Sequence, residues 1–433
     1  MPTPTLPLEP MPRRFVLATF GSLGDLHPTL AIALGLKARG HEAAIATSES
    51  YRAKVTALGL GFHAVRPDLP DPVEAPEFMA KVMDMRRGPE RVIRELMLPC
   101  LRDSYHDTLE AARDADVLVS HPLTFAVPLV AGLKGLPWAS TVLAPTGFFS
   151  AYDPPVLAPA QGLARLRPLG PAVNGPLLRF LKGTIRSWGE PWHRLRAEIG
   201  LPPGGDPLFE GQHAPGLVLA LFSALLGPVQ PDWPSQARLT GFPFLDRVGD
   251  AGLPAELARF LDDGPPPIVF TLGSAAVMNA GRFFAHGVEA ARLLGRRAVL
   301  LIGHDPRNRP TGALPEGIAA FPYAPFSELF PRAVAIVHQG GVGTTGQAMR
   351  SGRPALVMPY AFDQPDNAAR AARLGIARVL PRRRFHAARA ARELGKLLGD
   401  PAYSVKAAEV GRRIRAEDGV GTACDALEGC RAR

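Results

Sequence analysis

The chain has 433 residues, 46% of them hydrophobic and 21% charged, which excludes a disordered or fibrous protein and exceeds what one core organises, so two domains are expected. Three cysteines, Cys100, Cys424 and Cys430, make neither a disulfide framework nor a zinc set, which argues for a reducing, cytoplasmic setting. The net charge of +9 is scattered as arginines over helix faces, without aromatic interleaving or a nucleic-acid motif, so no nucleic-acid partner is expected.

Residues 1 to 12 are Pro-rich, lack an apolar signal core and read as a frayed tail. The apolar run RFVLATF then leads into the turn GSLGDLHP, a helical stretch and a second strand, EAAIATS, which is a βαβ unit. The pattern recurs through GFHAV, DVLVSHP and PWASTVLA, predicting a doubly wound parallel sheet over residues 13 to 235. Residues 150 to 213 break it, being Pro-rich and then amphipathic with interleaved basic residues. They read as helices bridging the sheet, or as an acceptor pocket or a patch at residues 161 to 199 touching a membrane surface. The apolar stretch 214 to 229 is shorter than the roughly 20 residues a membrane span needs and reads as a buried strand and turn.

Residues 236 to 254 have linker composition. A second run of short apolar strands follows over residues 255 to 410: PIVFTLGS, RRAVLLIG, IAAFPYAP, AVAIVHQG and PALVMPY, and residues 411 to 433 are helical. The fold class is therefore α/β, with two Rossmann-like domains. Open α/β sheets bind ligands at the carboxyl ends of their strands, so two facing sheets define an interdomain cleft.

The segment HQGGVGTTGQAMRSGRPALVMPYAFDQPDNA, residues 338 to 368, carries the chemistry of the second domain. His338 ends a strand. Gly340, Gly341 and Gly343 let backbone N–H groups approach a ligand. The helix opening near Thr344 and Thr345 offers unpaired donors and a partial positive charge, which suits a phosphate. Ser274, after Gly273 at the first strand end of this half, caps a helix or faces the same phosphate. No GxGxxG follows the first strand and no Walker motif exists. The sole D-x-D, Asp114 to Asp116, precedes a strand, so no metal is expected and helix termini must carry the phosphate charge.

These residues resemble the donor signature of UDP-glycosyltransferases of the GT-B fold. The start, FGSLGDLHPTLAIALGLKARGHEAAIAT, resembles their bacterial branch, which includes sterol, macrolide and glycopeptide glucosyltransferases. The resemblance implies two facing Rossmann-like domains and a C-terminal helix returning to the first. It implies that Tyr323 stacks on the base and the Ala324 backbone pairs with its edge, although the family's Trp is Tyr here and its Gln is Phe326. It assigns the diphosphate to His338, Gly343, Thr344 and Thr345 with Ser274 opposite, the ribose to Gln347, and the hexose to Asp363 and Gln364.

Inverting transfer needs a base in the other half. Asp25, in the GSLGD turn, either caps its helix or takes the acceptor proton, with Gly21 and Gly24 leaving room for a ligand. His27 is a rival base, and His121, at the end of DVLVS, orients or assists. The usual partner carboxylate at that strand end is missing, so the sequence claims no His–Asp dyad. Phe78, Met79, Met83, Met85, Phe148 and Phe149 are candidate walls of an apolar acceptor pocket.

The expected activity is inverting, metal-independent hexosyl transfer from UDP-glucose, or a dTDP sugar such as dTDP-rhamnose, to a hydroxyl of an apolar or lipid acceptor. The protein would act as a monomer or weak dimer. Two other readings share the fold. A sugar-nucleotide epimerase would need acidic groups around the sugar in place of an acceptor region. A non-catalytic helper would carry a broken donor motif.

Overall fold

The computed structural model describes residues 12–68, 76–246 and 252–431. The tail to residue 11 and part of the expected linker, residues 247 to 251, lie outside the described residues.

Two parallel sheets form two layered α/β domains. The first contains β1 (Arg14–Ala18), β2 (Glu42–Thr47), β3 (Gly61–Ala64), β4 (Val117–Ser120), β5 (Trp138–Val142), β6 (Val218–Ala220) and β7 (Ala237–Leu239), in the order β3-β2-β1-β4-β5-β6-β7. The second contains β8 (Ile268–Thr271), β9 (Ala298–Leu301), β10 (Ile318–Phe321), β11 (Ala335–His338), β12 (Ala355–Val357) and β13 (Ala377–Val379), in the order β10-β9-β8-β11-β12-β13. Every pairing is parallel. The central strands are buried along their length, as helices on both sheet faces require, which is why β4, β8 and β11 read as unbroken apolar runs.

The stretch 236 to 254 is not linker throughout, because β7 opens it as the edge strand of the first sheet. Three residues, with Arg238 exposed between half-buried neighbours, are too short for a periodic signal. The helix Gly419–Glu428 packs on the helix Leu23–Ala38, and Ala423, Cys424, Leu427 and Cys430 join the first domain's core. All three cysteines are free.

The two domains also share a core. Phe148, Phe222, Trp233 and Phe242 from the first pack with Met349, Val357, Ala371 and Ile414 of the second half of the chain. Since strand order switches between β1 and β4 in one sheet and between β8 and β11 in the other, the turns after these strands meet at the cleft.

Candidate active site

The first wall of the cleft is the turn after β1. Gly21 has φ +129, and a Cβ there would collide with the Asp25 carboxylate. Ser22 caps the helix Leu23–Ala38 by accepting from the Gly24 N–H, and Asp25 Oδ2 accepts from the Ser22 N–H at 2.8 Å. This capping box serves one oxygen of Asp25. The other, Oδ1, lies 3.3 Å from His121 Nε2.

His121 follows β4 and its side chain is 6% exposed. Its Nδ1 accepts the Leu123 N–H at 3.2 Å, so the ring proton belongs on Nε2 and points at Asp25. Thr124 Oγ1 accepts the His121 N–H and donates to its carbonyl, which fixes the turn. An Asp–His pair is thus present, which the sequence left unclaimed while offering His121 to orient Asp25 or His27. The carboxylate comes from the β1 turn and the imidazole from β4, the reverse of the arrangement looked for. Tyr51 further braces the turn by donating to the Gly21 carbonyl at 2.9 Å. His27 makes no hydrogen bond among the described residues; burial and the charge of Lys54 push its imidazole down to about 4, making it a weak base.

The second wall is the turn after β11. His338 is 1% exposed, and burial pushes its imidazole down to about 3, so it is neutral at working pH. Its Nδ1 accepts the Gly340 N–H at 3.1 Å, leaving Nε2–H as a donor. Gly340 has φ +92, and a Cβ there would lie 2.9 Å from Val357 Cγ1 and 3.0 Å from the Gln364 carbonyl oxygen, so this position needs glycine. Gly341 is the N-cap of the helix Val342–Ser351 and provides no side chain. Asp363 Oδ2 accepts the first helical N–H, from Val342, at 3.1 Å, whereas the N–H groups of Gly343 and Thr344 find no acceptor among the described residues. A helix end with two free donors can receive an anion. The hydroxyl of Thr345, a residue 2% exposed, and Oε1 of Gln347 also lack partners.

The two walls meet. A Cβ on Gly343 would come within 4.0 Å of Gly24 Cα, so two helix N-termini face each other across the cleft. Burial pushes the Asp363 carboxyl up to about 7. The Asn367 amide, which donates to it at 2.7 Å, opposes this, and the negative Asp25 reinforces it. Gln364 Oε1 accepts from the N–H groups of Tyr360 and Ala361, leaving its amide NH2 for other partners.

Around this centre, Ser274 is half-buried beside Gly273, whose φ is +64. A Cβ at Gly273 would strike the Gln339 amide and lie 3.2 Å from Thr344 Oγ1. Gln339, absent from the sequence reading, thus links the β8 and β11 turns. Asn367, also absent from it, donates to both Asp363 and the Gly340 carbonyl. Their roles depend on long-range contacts that no local pattern announces. Tyr323 is 60% exposed and Ala324 is buried. Phe326, where a Gln was looked for, stacks on Phe330 at 4.4 Å and belongs to the core.

Two of the candidate acceptor walls are packed core instead. Met83 is 2% exposed among residues of the second domain, and Phe148 stacks on Trp233 at 4.0 Å. Apolar residues near a cleft pack wherever a neighbouring layer covers them: the second domain covers Met83, and Phe222 and Trp233 of its own domain cover Phe148. Phe78 is half-buried on the helix Pro76–Val82, and Phe149, with φ 49, lies edge-on to Phe209. Among the described residues no group of three or more His, Cys, Asp or Glu is placed to hold a metal.

Residues 296–419 match the family model of the erythromycin biosynthesis protein CIII-like C-terminal domain, and residues 15–97 match the glycosyltransferase family 28 N-terminal domain. The O-mycaminosyltylonolide 6-deoxyallosyltransferase of Streptomyces fradiae is 36% identical over 433 residues, covering 96% of this chain and 97% of that protein. This chain belongs to the macrolide-type glycosyltransferases. Its fold is GT-B. The glycotransferase of kitacinnamycin has a TM-score of 0.71 at 23% identity over 97% of this chain and 99% of that one. The spinosyn rhamnosyltransferase SpnG complexed with thymidine diphosphate has a TM-score of 0.66 at 19% identity over 96% of this chain and 100% of that one. For this glycosyltransferase the two facing helix N-termini are therefore the walls of a GT-B cleft.

Proposed function

We propose that this glycosyltransferase moves a 6-deoxyhexose from a nucleoside diphosphate, with inversion and without metal, to a hydroxyl of an apolar acceptor. The carrying observation is the Asp25–His121 dyad facing the open helix end at Gly343 and Thr344. The acceptor hydroxyl gives its proton to Asp25 as its oxygen attacks the anomeric carbon. The bond from that carbon to the diphosphate oxygen breaks on the opposite face. The charge released on the diphosphate is met by the Gly343 and Thr344 N–H groups, the Thr345 hydroxyl and His338 Nε2–H. His121 donates to Asp25 Oδ1, which keeps a second lone pair for the acceptor proton, while Oδ2 stays in the capping box. Tyr323 supplies a face for the base, and Gln347 a partner for the ribose.

The choice of sugar rests on capacity. Asp363 and Gln364 have already committed Oδ2 and Oε1 to the protein, which leaves Oδ1 and one amide to bind hydroxyls. A 6-deoxy sugar presents fewer hydroxyls than glucose, and the relative from Streptomyces fradiae is a 6-deoxyallosyltransferase by name. The neighbour holding thymidine diphosphate supports thymidine over uridine as the carrier, with UDP-glucose as the competing donor. Phe78 and Phe149 are the acceptor contacts in this reading.

The test is turnover by Asp25→Asn. Asparagine keeps the helix cap through its carbonyl oxygen but is no base. The account expects kcat to fall by roughly 10²–10⁴-fold with donor affinity changed less than about twofold and an unchanged melting temperature. Retention of more than about a tenth of kcat would remove Asp25 from the reaction.

A further inference from the structure

The helix Pro171–Ile185 carries apolar side chains beyond the face that packs inward. Asn174, Leu178, Leu181 and Ile185 turn inward. On the opposite line Val173 is 43% exposed and Phe180 69%, with Leu169, just before the helix, at 56%. A soluble helix normally turns polar residues outward, so a large aromatic left mostly in water at this density asks for a partner.

Charge says what kind. From Pro154 to Gly189 the sequence has five cations, Arg165, Arg167, Arg179, Lys182 and Arg186, and no Asp or Glu. Arg167 is paired with Asp153 and Lys182 with Glu210. Arg165, Arg179 and Arg186 are exposed and make no ion pair among the described residues. A second copy of this chain is a poor occupant, since a twofold contact would set the same arginines against each other. Insertable apolar side chains rimmed by free arginines, with no carboxylate between, instead suit a surface of anionic lipid headgroups.

We infer that the face formed by Leu169, Val173 and Phe180, with Arg165, Arg179 and Arg186, docks on an anionic bilayer. On its inner side the same helix places Lys182 4.9 Å from the Phe209 ring and 5.5 Å from that of Phe149. Docking would therefore set the proposed acceptor side of the cleft near the phase into which apolar acceptors partition. This inference stands whether or not Phe149 touches an acceptor.

The experiment is flotation of the full chain with vesicles of phosphatidylcholine, or of phosphatidylcholine with 30% phosphatidylglycerol, a ratio on the order of natural anionic leaflets. Binding is expected to the anionic vesicles alone and to be lost at about 1 M salt, where the Debye length is roughly 3 Å. Each arginine near the surface contributes about fivefold, so the double variant Arg179→Gln, Arg186→Gln should bind about 25-fold more weakly. Phe180→Glu should bind at least as weakly; its side chain is exposed, so the variant should fold, and the arginine variant stands as an independent check. Absence of binding by the unaltered chain would overturn the inference, as would equal binding to neutral vesicles or indifference to both variants. So would a dimer in sedimentation that Phe180→Glu dissolves, which would assign the face to self-association.

Discussion

Asp25 and His121 stand 96 residues apart in sequence and 3.3 Å apart in the cleft, and each is held by backbone. The capping box takes one lobe of the carboxylate, and the Leu123 N–H fixes the tautomer of the imidazole. Such pre-organisation costs nothing at the moment of reaction. The sequence offered Asp25 as helix cap or as base, and the cap is present through the Ser22 N–H. The dyad was not legible, because the expected carboxylate at the β4 end is absent and a reversed pairing leaves no local trace. Gln339 and Asn367 lie in the same segment as His338, Gly340 and Asp363, but their partners across turns, Gly273 and the Gly340 carbonyl, are set by the fold and not by the motif. Asp363 gives a pH prediction. Its carboxyl is raised to about 7 mainly by burial, against an ordinary value near 4. Between those values the folded chain binds the extra proton, so the ionised form costs stability as pH rises from about 4 to 7, and the cost is full above 7. Partial exposure of the residue tempers its size. Asp363→Asn should therefore raise the urea midpoint at pH 8 and leave it nearly unchanged at pH 4. Equal effects at both pH values would contradict the assignment.

Between elements, the segment after β5 is fastened to the helix Gln364–Arg373. Arg370, 2% exposed, bridges Asp153 of the first domain and Asp366 of its own helix. Asp366 Oδ1 also accepts the Val156 N–H at 2.9 Å, and Asp153 Oδ1 meets Arg167 at 2.6 Å without hydrogen-bond geometry. Burial opposes the Arg370 charge, but Asp366 and Asp153 outweigh it and hold the guanidinium above its ordinary value. Replacing Arg370 by Met leaves two carboxylates buried and should cost about 3–5 kcal/mol in urea unfolding; a loss under about 1 kcal/mol would mean that water reaches the pair. In sequence these residues read as helix surface, since RAAR carries a charge at each end. Strands were the more legible elements, being continuous apolar runs flanked by Gly or Pro. The edge strand β7 was lost because its three residues carry no period.

At the scale of the molecule, the two sheets and the facing turns follow from a repeated strand–turn–helix grammar, whereas the return of the C-terminal helix was implied only by the family resemblance. The shared core around Phe148, Phe242, Met349 and Ile414 was not readable, because which apolar residues cross a cleft depends on how the domains meet. Phe148 is buried in that shared core, and Met83 in the core of the second domain. The account's central claim is that the β11 turn binds a nucleoside diphosphate through backbone donors and neutral His338. Calorimetric titration of dTDP and UDP without added metal, into the unaltered chain and His338→Ala, tests it most directly. The account predicts micromolar dTDP binding, tighter than UDP, weakened about 10- to 100-fold by the substitution. Absence of nucleotide binding, or equal affinity in both proteins, would contradict it.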